Sequence, residues 1–123
     1  TSVVNGFLAG VSAERCFENI HQKYDEYTDY GWGHTLPNAM IVVASLLYGS
    51  DYSKCICMSV QTGFDTDCNG ATVGSIYGMA HGIQSIPEYW IKPMNGAMHT
   101  GLAGLDLLKI KDRANLTLRH LEK

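Results

Sequence analysis

The stretch Gln61–Gly82, QTGFDTDCNGATVGSIYGMAHG, constrains this chain more than any other. Gly70, Gly74, Gly78 and Gly82 recur at every fourth position, with Ala71 and Ser75 beside them. On a helix that spacing makes one slowly drifting stripe of small residues along an element roughly 18 Å long. Each interior glycine costs about 1 kcal/mol relative to alanine. A soluble helix carrying several of them is worth forming only where another backbone packs very close to that face. The spacing therefore predicts a helix from Cys68 to Gly82 at the centre of an all-α core.

Immediately ahead of the stripe stand Asp65 and Asp67. In a turn their carboxylates lie on the order of 5 Å apart, and at an effective dielectric of about 20 their repulsion costs roughly 3 kcal/mol. A helix N-terminus returns only about 0.3–1 kcal/mol of this. A cation is the natural compensation, and Asp oxygens select hard ions such as Mg²⁺, Mn²⁺ or Ca²⁺. The plainer alternative is that Asp67 is an N-cap, accepting backbone N–H groups of the next turn. That reading accounts for one of the two aspartates.

Composition narrows the class of partner. With 46% hydrophobic and 17% charged residues the chain is globular, and at 123 residues it is one domain or part of one. A formal net charge of -3 and no basic run give no electrostatic reason to expect nucleic acid or an anionic membrane as partner. Cys16, Cys55, Cys57 and Cys68 lack CxxC spacing, and neither a signal peptide nor a long apolar span is visible, so a cytoplasmic setting is the expectation. Cys55 and Cys57 fall on different faces of a helix and read as packing thiols.

In chain order, residues 1–11 are apolar and broken by glycine, which reads as a lead-in segment. Ser12 is placed to cap an amphipathic helix from Ala13 to about Tyr27, with Cys16, Phe17, Ile20, Tyr24 and Tyr27 opposite Glu14, Glu18, Lys23 and Asp25. Tyr24, Tyr27 and Tyr30 serve either core and rim packing or the lining of a ligand pocket. Pro37 and Gly49 bracket a helix whose run Ala39–Leu47 is apolar all round, which predicts burial. His34, just ahead of it, is either a hydrogen-bonded structural histidine or a pocket-facing one. Asp51 caps a third helix, Tyr52–Thr62, ending at Gly63. After the glycine stripe, Ser85–Glu88 starts a short helix closed by Pro93. Residues 94–104 read as irregular, 105–110 as extended, and 112–120 as a terminal helix.

Two chemistries fit DTDCNG. Asp65, Asp67, Asn69 and Gly70 match positions 1, 3, 5 and 6 of an EF-hand loop, yet position 12, a bidentate Glu in that motif, falls on Ile76. The second comes from resemblance. GFDTDCNGATVGSIYGMAHG resembles the C-terminal metal-binding motif of the ADP-ribosylglycohydrolase family, in which Gly-x-Asp-x-Asp leads into a helix of spaced glycines. GHTLPNAMIVVASLLYGSDYSKCICMSVQTG upstream and SIPEYWIKPMN downstream are similar to that family in order and spacing.

The resemblance implies an orthogonal all-α helical bundle, present here as the C-terminal portion of a single domain over residues 1–123. It implies a binuclear Mg²⁺ or Mn²⁺ centre, and cleavage of the bond joining ADP-ribose to a protein side chain or a small conjugate. The family's metal ligands fall on Asp65 and Asp67, and the hydroxyl residue that usually follows them falls on Cys68, making Cys68 the third candidate ligand although a thiol suits Mg²⁺ poorly. Asn69 and His34 are the candidate substrate-binding residues; no catalytic base is assigned. The family's second acidic cluster, of Thr-Asp-Asp type, has no counterpart here, since Asp25, Glu26 and Asp29 do not match it. The missing N-terminal part of the same protein is therefore an expected partner, and the chain alone is expected to be inactive. The alternative is a non-catalytic relative that keeps the fold for structure or ADP-ribose binding.

Overall fold

The structure is a computed structural model and describes residues 2–28 and 30–121. The described residues are mostly helical: α1 (Ser2–Leu8), α2 (Ala13–Lys23), α3 (Thr35–Tyr48), α4 (Tyr52–Gln61), α5 (Thr66–His81), α6 (Glu88–Ile91) and α7 (Ile110–Leu118), with β1 (Ala97–His99) and β2 (Leu107–Lys109). The chain divides into two compact units, Thr1–Ile86 and Pro87–Lys123. No described helix is long and apolar enough to cross a membrane.

In the first unit local chemistry sets most helix ends. Ser12 caps α2, its Oγ accepting the Arg15 N–H, and Asp51 caps α4, accepting the Lys54 N–H at 2.9 Å. That bond is the main reason the Asp51 carboxyl titrates below the usual carboxylate range. α2 stops at Lys23 rather than near Tyr27, because Asp25 offers the backbone another arrangement: its carboxylate accepts the Tyr27 N–H, and its carbonyl accepts the Thr28 hydroxyl. Tyr27 is consequently 90% exposed, while Tyr24 packs partly against the core. Asp29 lies outside the described residues.

Two expectations are corrected. Glycine does not break residues 1–11 where expected: Ser2–Leu8 is helical through Gly6, because Val3 has a core to enter and Phe7 meets Tyr48 edge-on at 5.1 Å. α3 is not buried all round either. Ile41 and Ala44 are fully buried, whereas Val43 in the same run is 37% exposed and Leu36, ahead of the run, is exposed too. α1, α2, α4 and α5 all pack on α3, but they leave one flank of it open.

The core joins Val3, Cys16, Ile20, Ile41, Ala44 and Phe64. Gly49, which ends α3, has ordinary extended backbone; it is small because a Cβ there would overlap the Cys55 thiol, so it sets how closely α3 and α4 can meet. Cys55 is buried and Cys57 exposed, as opposite faces of α4 require.

The glycine stripe of α5 lies mainly against α4. A Cβ at Gly70 would stand 3.0 Å from Val60, one at Gly74 would stand 3.1 Å from the Tyr52 hydroxyl and 3.3 Å from Ile56, and one at Gly78 would stand 3.3 Å from Ile86. Branched and aromatic side chains fill the stripe, rather than the bare backbone of a neighbouring helix. Gly82 closes α5 with a φ of 79°.

In the second unit, α6 follows Pro87, and Asn95 turns the chain in the left-handed region. β1 then pairs antiparallel with β2, Ala97 opposite Lys109 and His99 opposite Leu107. The stretch 94–104, read as irregular, thus contains a strand whose partner lies about ten residues further on. α7 begins at Ile110, earlier than Asp112, directly after β2.

Candidate metal centre

The turn between α4 and α5 is built from two successive left-handed residues, Gly63 at φ 92° and Phe64 at φ 58°. For a residue with a Cβ this conformation costs about 1–2 kcal/mol. Burial of the Phe64 ring in the core offsets it, and so do three side chains that reach across the fold to the turn's backbone. His21 Nε2 donates to the Thr62 carbonyl at 2.9 Å, Glu26 Oε2 accepts the Phe64 N–H at 2.7 Å, and Asn38 Oδ1 accepts the Asp65 N–H at 3.0 Å. The turn is thereby tied to α2, to the segment that follows α2, and to α3.

This turn launches α5 at Thr66, two residues before the expected start at Cys68. Asp65 takes the N-cap position without making a side-chain capping bond, and Asp67 lies inside the first turn. Asp67 is therefore not the N-cap. One potential ligand atom from each of Asp65, Asp67 and Cys68 lies within 4.8 Å of the others. Asp65 is half-buried, and the other two are exposed. The Asp65 carboxylate beside Cys68 favours the protonated thiol, and with the charge of Asp67 it pushes the thiol pKa above its ordinary value of 9.0. Sulfur is in any case a soft donor, a poor match to Mg²⁺ beside two hard carboxylates.

An open cleft of about 440 Å³ runs between the first turns of α3 and α5, lined by Gly33, Thr35, Asn38, Asp65, Cys68 and Asn69 and extended over Ala39, Val42, Val43 and Thr72. Asn69 is 3% exposed, and its amide donates to Asn38 Oδ1 at 2.8 Å. Asn38 in turn donates to the carbonyls of Trp32, at 2.8 Å, and His34, at 2.9 Å. One amide therefore holds the loop before α3, the backbone of Asp65 and the side chain of Asn69.

The His34 ring is not among the cleft's lining groups. It stacks on Tyr30 at 4.7 Å and meets Tyr24 edge-on at 5.3 Å. A larger groove of about 640 Å³ between α2 and α4 includes Phe17, Lys54 and Met58, and none of Asp65, Asp67 and Cys68 borders it. The structure thus brings Asp65, Asp67, Cys68 and Asn69 to one end of one helix and leaves His34 in an aromatic cluster. Sequence reasoning missed Asn38 and Glu26. For Asn38 the available signal was a single amide in the first turn of an otherwise apolar helix.

An EF-hand is excluded by the backbone: Gly70 and Ile76 both lie inside α5, so no twelve-residue loop exists. Comparisons with curated proteins and with solved structures returned no match. The family model described as ADP-ribosylglycohydrolase matches residues 4–120, nearly the whole chain. With the aspartate pair at the mouth of the glycine-striped helix, the chain belongs to the ADP-ribosylglycohydrolase family, whose members hydrolyse ADP-ribose conjugates.

Proposed function

We propose that this chain supplies Asp65 and Asp67 as ligands of a Mg²⁺ or Mn²⁺ centre in an enzyme that cleaves the glycosidic bond between ADP-ribose and a protein side chain or small conjugate. The observation that supports the reading is the convergence of the Asp65 and Asp67 carboxylates, with Asp65 lining a cleft, in a chain matched to this family over residues 4–120. Two carboxylates fit a hard divalent cation; Cys68 is the weakest of the three donors for it.

Cleavage of a ribosyl bond passes through an oxocarbenium-like state, which favours a fixed sugar and nearby negative charge. A bound divalent ion would orient the ribose hydroxyls and activate water. The chain's own residues do the rest of the holding. Asn38 fixes the backbone of Asp65 and the side chain of Asn69, so the carboxylate and the amide keep their spacing. Ala39, Val42 and Val43 give the cleft an apolar wall that limits water on one side of a bound conjugate. Asn69 and His34 are the proposed substrate contacts; Asn69 lines the cleft, whereas the His34 ring stacks on Tyr30 outside its lining.

Mg²⁺ demands near-octahedral oxygen coordination, and two carboxylates from one turn fill few of those positions. The remaining ligands would come from outside this chain, which would then be the C-terminal part of a longer domain. The test is release of ADP-ribose from an ADP-ribosylated protein, with and without chelator, by this chain and by a longer protein containing it. Chelator-sensitive release by the longer protein, with little from the chain alone, is the expected result. Robust chelator-insensitive release by the chain alone would refute the assignment.

A further inference from the structure

We propose that Glu26 is a positioning residue for the metal centre: by accepting the Phe64 amide hydrogen, its carboxylate holds the 63–65 turn in the conformation that places Asp65 on the cleft. The inference rests on the reading of Asp65 and Asp67 as metal ligands.

Glu26 lies outside any helix, half-buried, in the turn that follows α2. Its carboxylate makes a 2.7 Å bond to a residue 38 positions away in sequence. The contact is fitted on both sides. A Cβ at Gly63 would stand 2.9 Å from Glu26 Oε2, so residue 63 has to be small for the carboxylate to enter, and the φ of 92° there suits glycine as well. Phe64, next in line, holds a φ of 58° that its side chain disfavours. Of the three long-range anchors on this turn, Glu26 is the middle one. His21 holds Thr62 on one side, and Asn38 holds Asp65 on the other.

Without the middle anchor, the peptide between Gly63 and Phe64 is free to rotate between two fixed points, and relaxation of the Phe64 φ redirects the residue after it. Asp65 is that residue, and α5 starts at the next position. The chemistry required of residue 26 is specific: an acceptor oxygen at the reach of a Glu or Gln side chain. Its negative charge is not part of the role.

That distinction makes the proposal testable with two conservative variants of this chain and Mn²⁺ alone as the probe. Glu26→Gln keeps the acceptor at full reach and removes the charge. Glu26→Asp keeps the charge and shortens the reach by one methylene. Mn²⁺ titrations are read by paramagnetic broadening of the amide signals of Thr66, Asp67, Cys68 and Asn69, with melting temperatures measured in parallel.

The expected order is Glu26→Gln close to the unaltered chain and Glu26→Asp weaker by about tenfold or more, the usual effect of losing a group that orients a metal ligand. The reverse order would mean that the charge of Glu26 acts directly and would overturn the proposal. Melting temperatures that fall while Mn²⁺ affinity of the folded chain stays constant would reduce Glu26 to a structural residue, which also overturns it. Asp65→Ala separates this from the underlying reading. It should abolish the broadening, and persistence of broadening there would reject the metal centre itself.

Discussion

Substitution of Gly74 by leucine probes the packing on which the placement of the aspartates depends. The first added carbon already meets two α4 side chains, Tyr52 at 3.1 Å and Ile56 at 3.3 Å. Leucine extends three carbons further into the same space. Overpacking of this kind costs typically 1–3 kcal/mol. The upper end applies here, because Tyr52 and Ile56 stand on a helix whose start is fixed by the Asp51 cap. Removing a glycine from a helix interior returns about 1 kcal/mol. A net loss of about 2 kcal/mol remains. In a unit the size of Thr1–Ile86 this lowers the melting temperature by roughly 8–16 °C. Thermal denaturation followed by far-ultraviolet circular dichroism measures it. Gly74→Ala is the internal comparison: its single methyl meets the movable end of Tyr52 and the tip of Ile56, while it gains the same helix propensity, so it should melt close to the unaltered chain. Leu121→Ala trims a residue that is 81% exposed and should change stability by less than about 0.5 kcal/mol. Equal melting temperatures for Gly74→Leu and Leu121→Ala would refute the close contact of the stripe with α4.

The other expectations concern the centre and the buried thiols. In a longer protein containing this chain, Asp65→Ala or Asp67→Ala should abolish chelator-sensitive ADP-ribose release while leaving the denaturation midpoint nearly unchanged, since without an ion the two carboxylates repel one another; retained turnover would count against both as ligands. Cys68→Ser should preserve or raise activity with Mg²⁺, because a hydroxyl is the harder donor, and steady-state rates at several Mg²⁺ concentrations decide it. Burial raises the pKa of Cys16 and Cys55 above the ordinary 9.0. Above that pH the unfolded chain releases these protons first while the folded chain keeps them, so stability present at neutral pH falls by at most about 1.4 kcal/mol per pH unit per thiol. Urea midpoints at neutral and alkaline pH should show a smaller alkaline loss in a Cys16→Ala/Cys55→Ala double variant than in the unaltered chain.

Features that depend on neighbours in sequence were legible before the fold was seen. The Ser12 and Asp51 caps, the ends of α3 and α4, and the glycine-striped helix all follow from side chains within one turn of the backbone they act on. Features set by distant partners were not. α1 looked like a broken lead-in because the core that receives Val3 is assembled from α2, α3 and Phe64. β1 looked irregular because a strand of three residues has no signal apart from its partner. The end of α2 was overrun because an Asx-type turn at Asp25 competes with a helical pattern that continues to Tyr27.

For the centre the same division holds. The expectation that Asp65 and Asp67 attract a cation comes from spacing alone, since repulsion between carboxylates two residues apart is a local fact. Their support could not be read that way. Glu26 and Asn38 lie 38 and 27 positions from the backbone amides they bind. For His34 the sequence showed its place ahead of a helix start, but not the stacking of its ring on Tyr30 or its edge contact with Tyr24. By itself the sequence determined a helical chain with a paired-carboxylate turn at the head of a small-residue helix, because periodicity, capping and charge repulsion act over a few residues. Only the tertiary structure decided which side chains grip that turn, and what faces the stripe, because a hydrogen bond across the fold depends on where two distant segments meet.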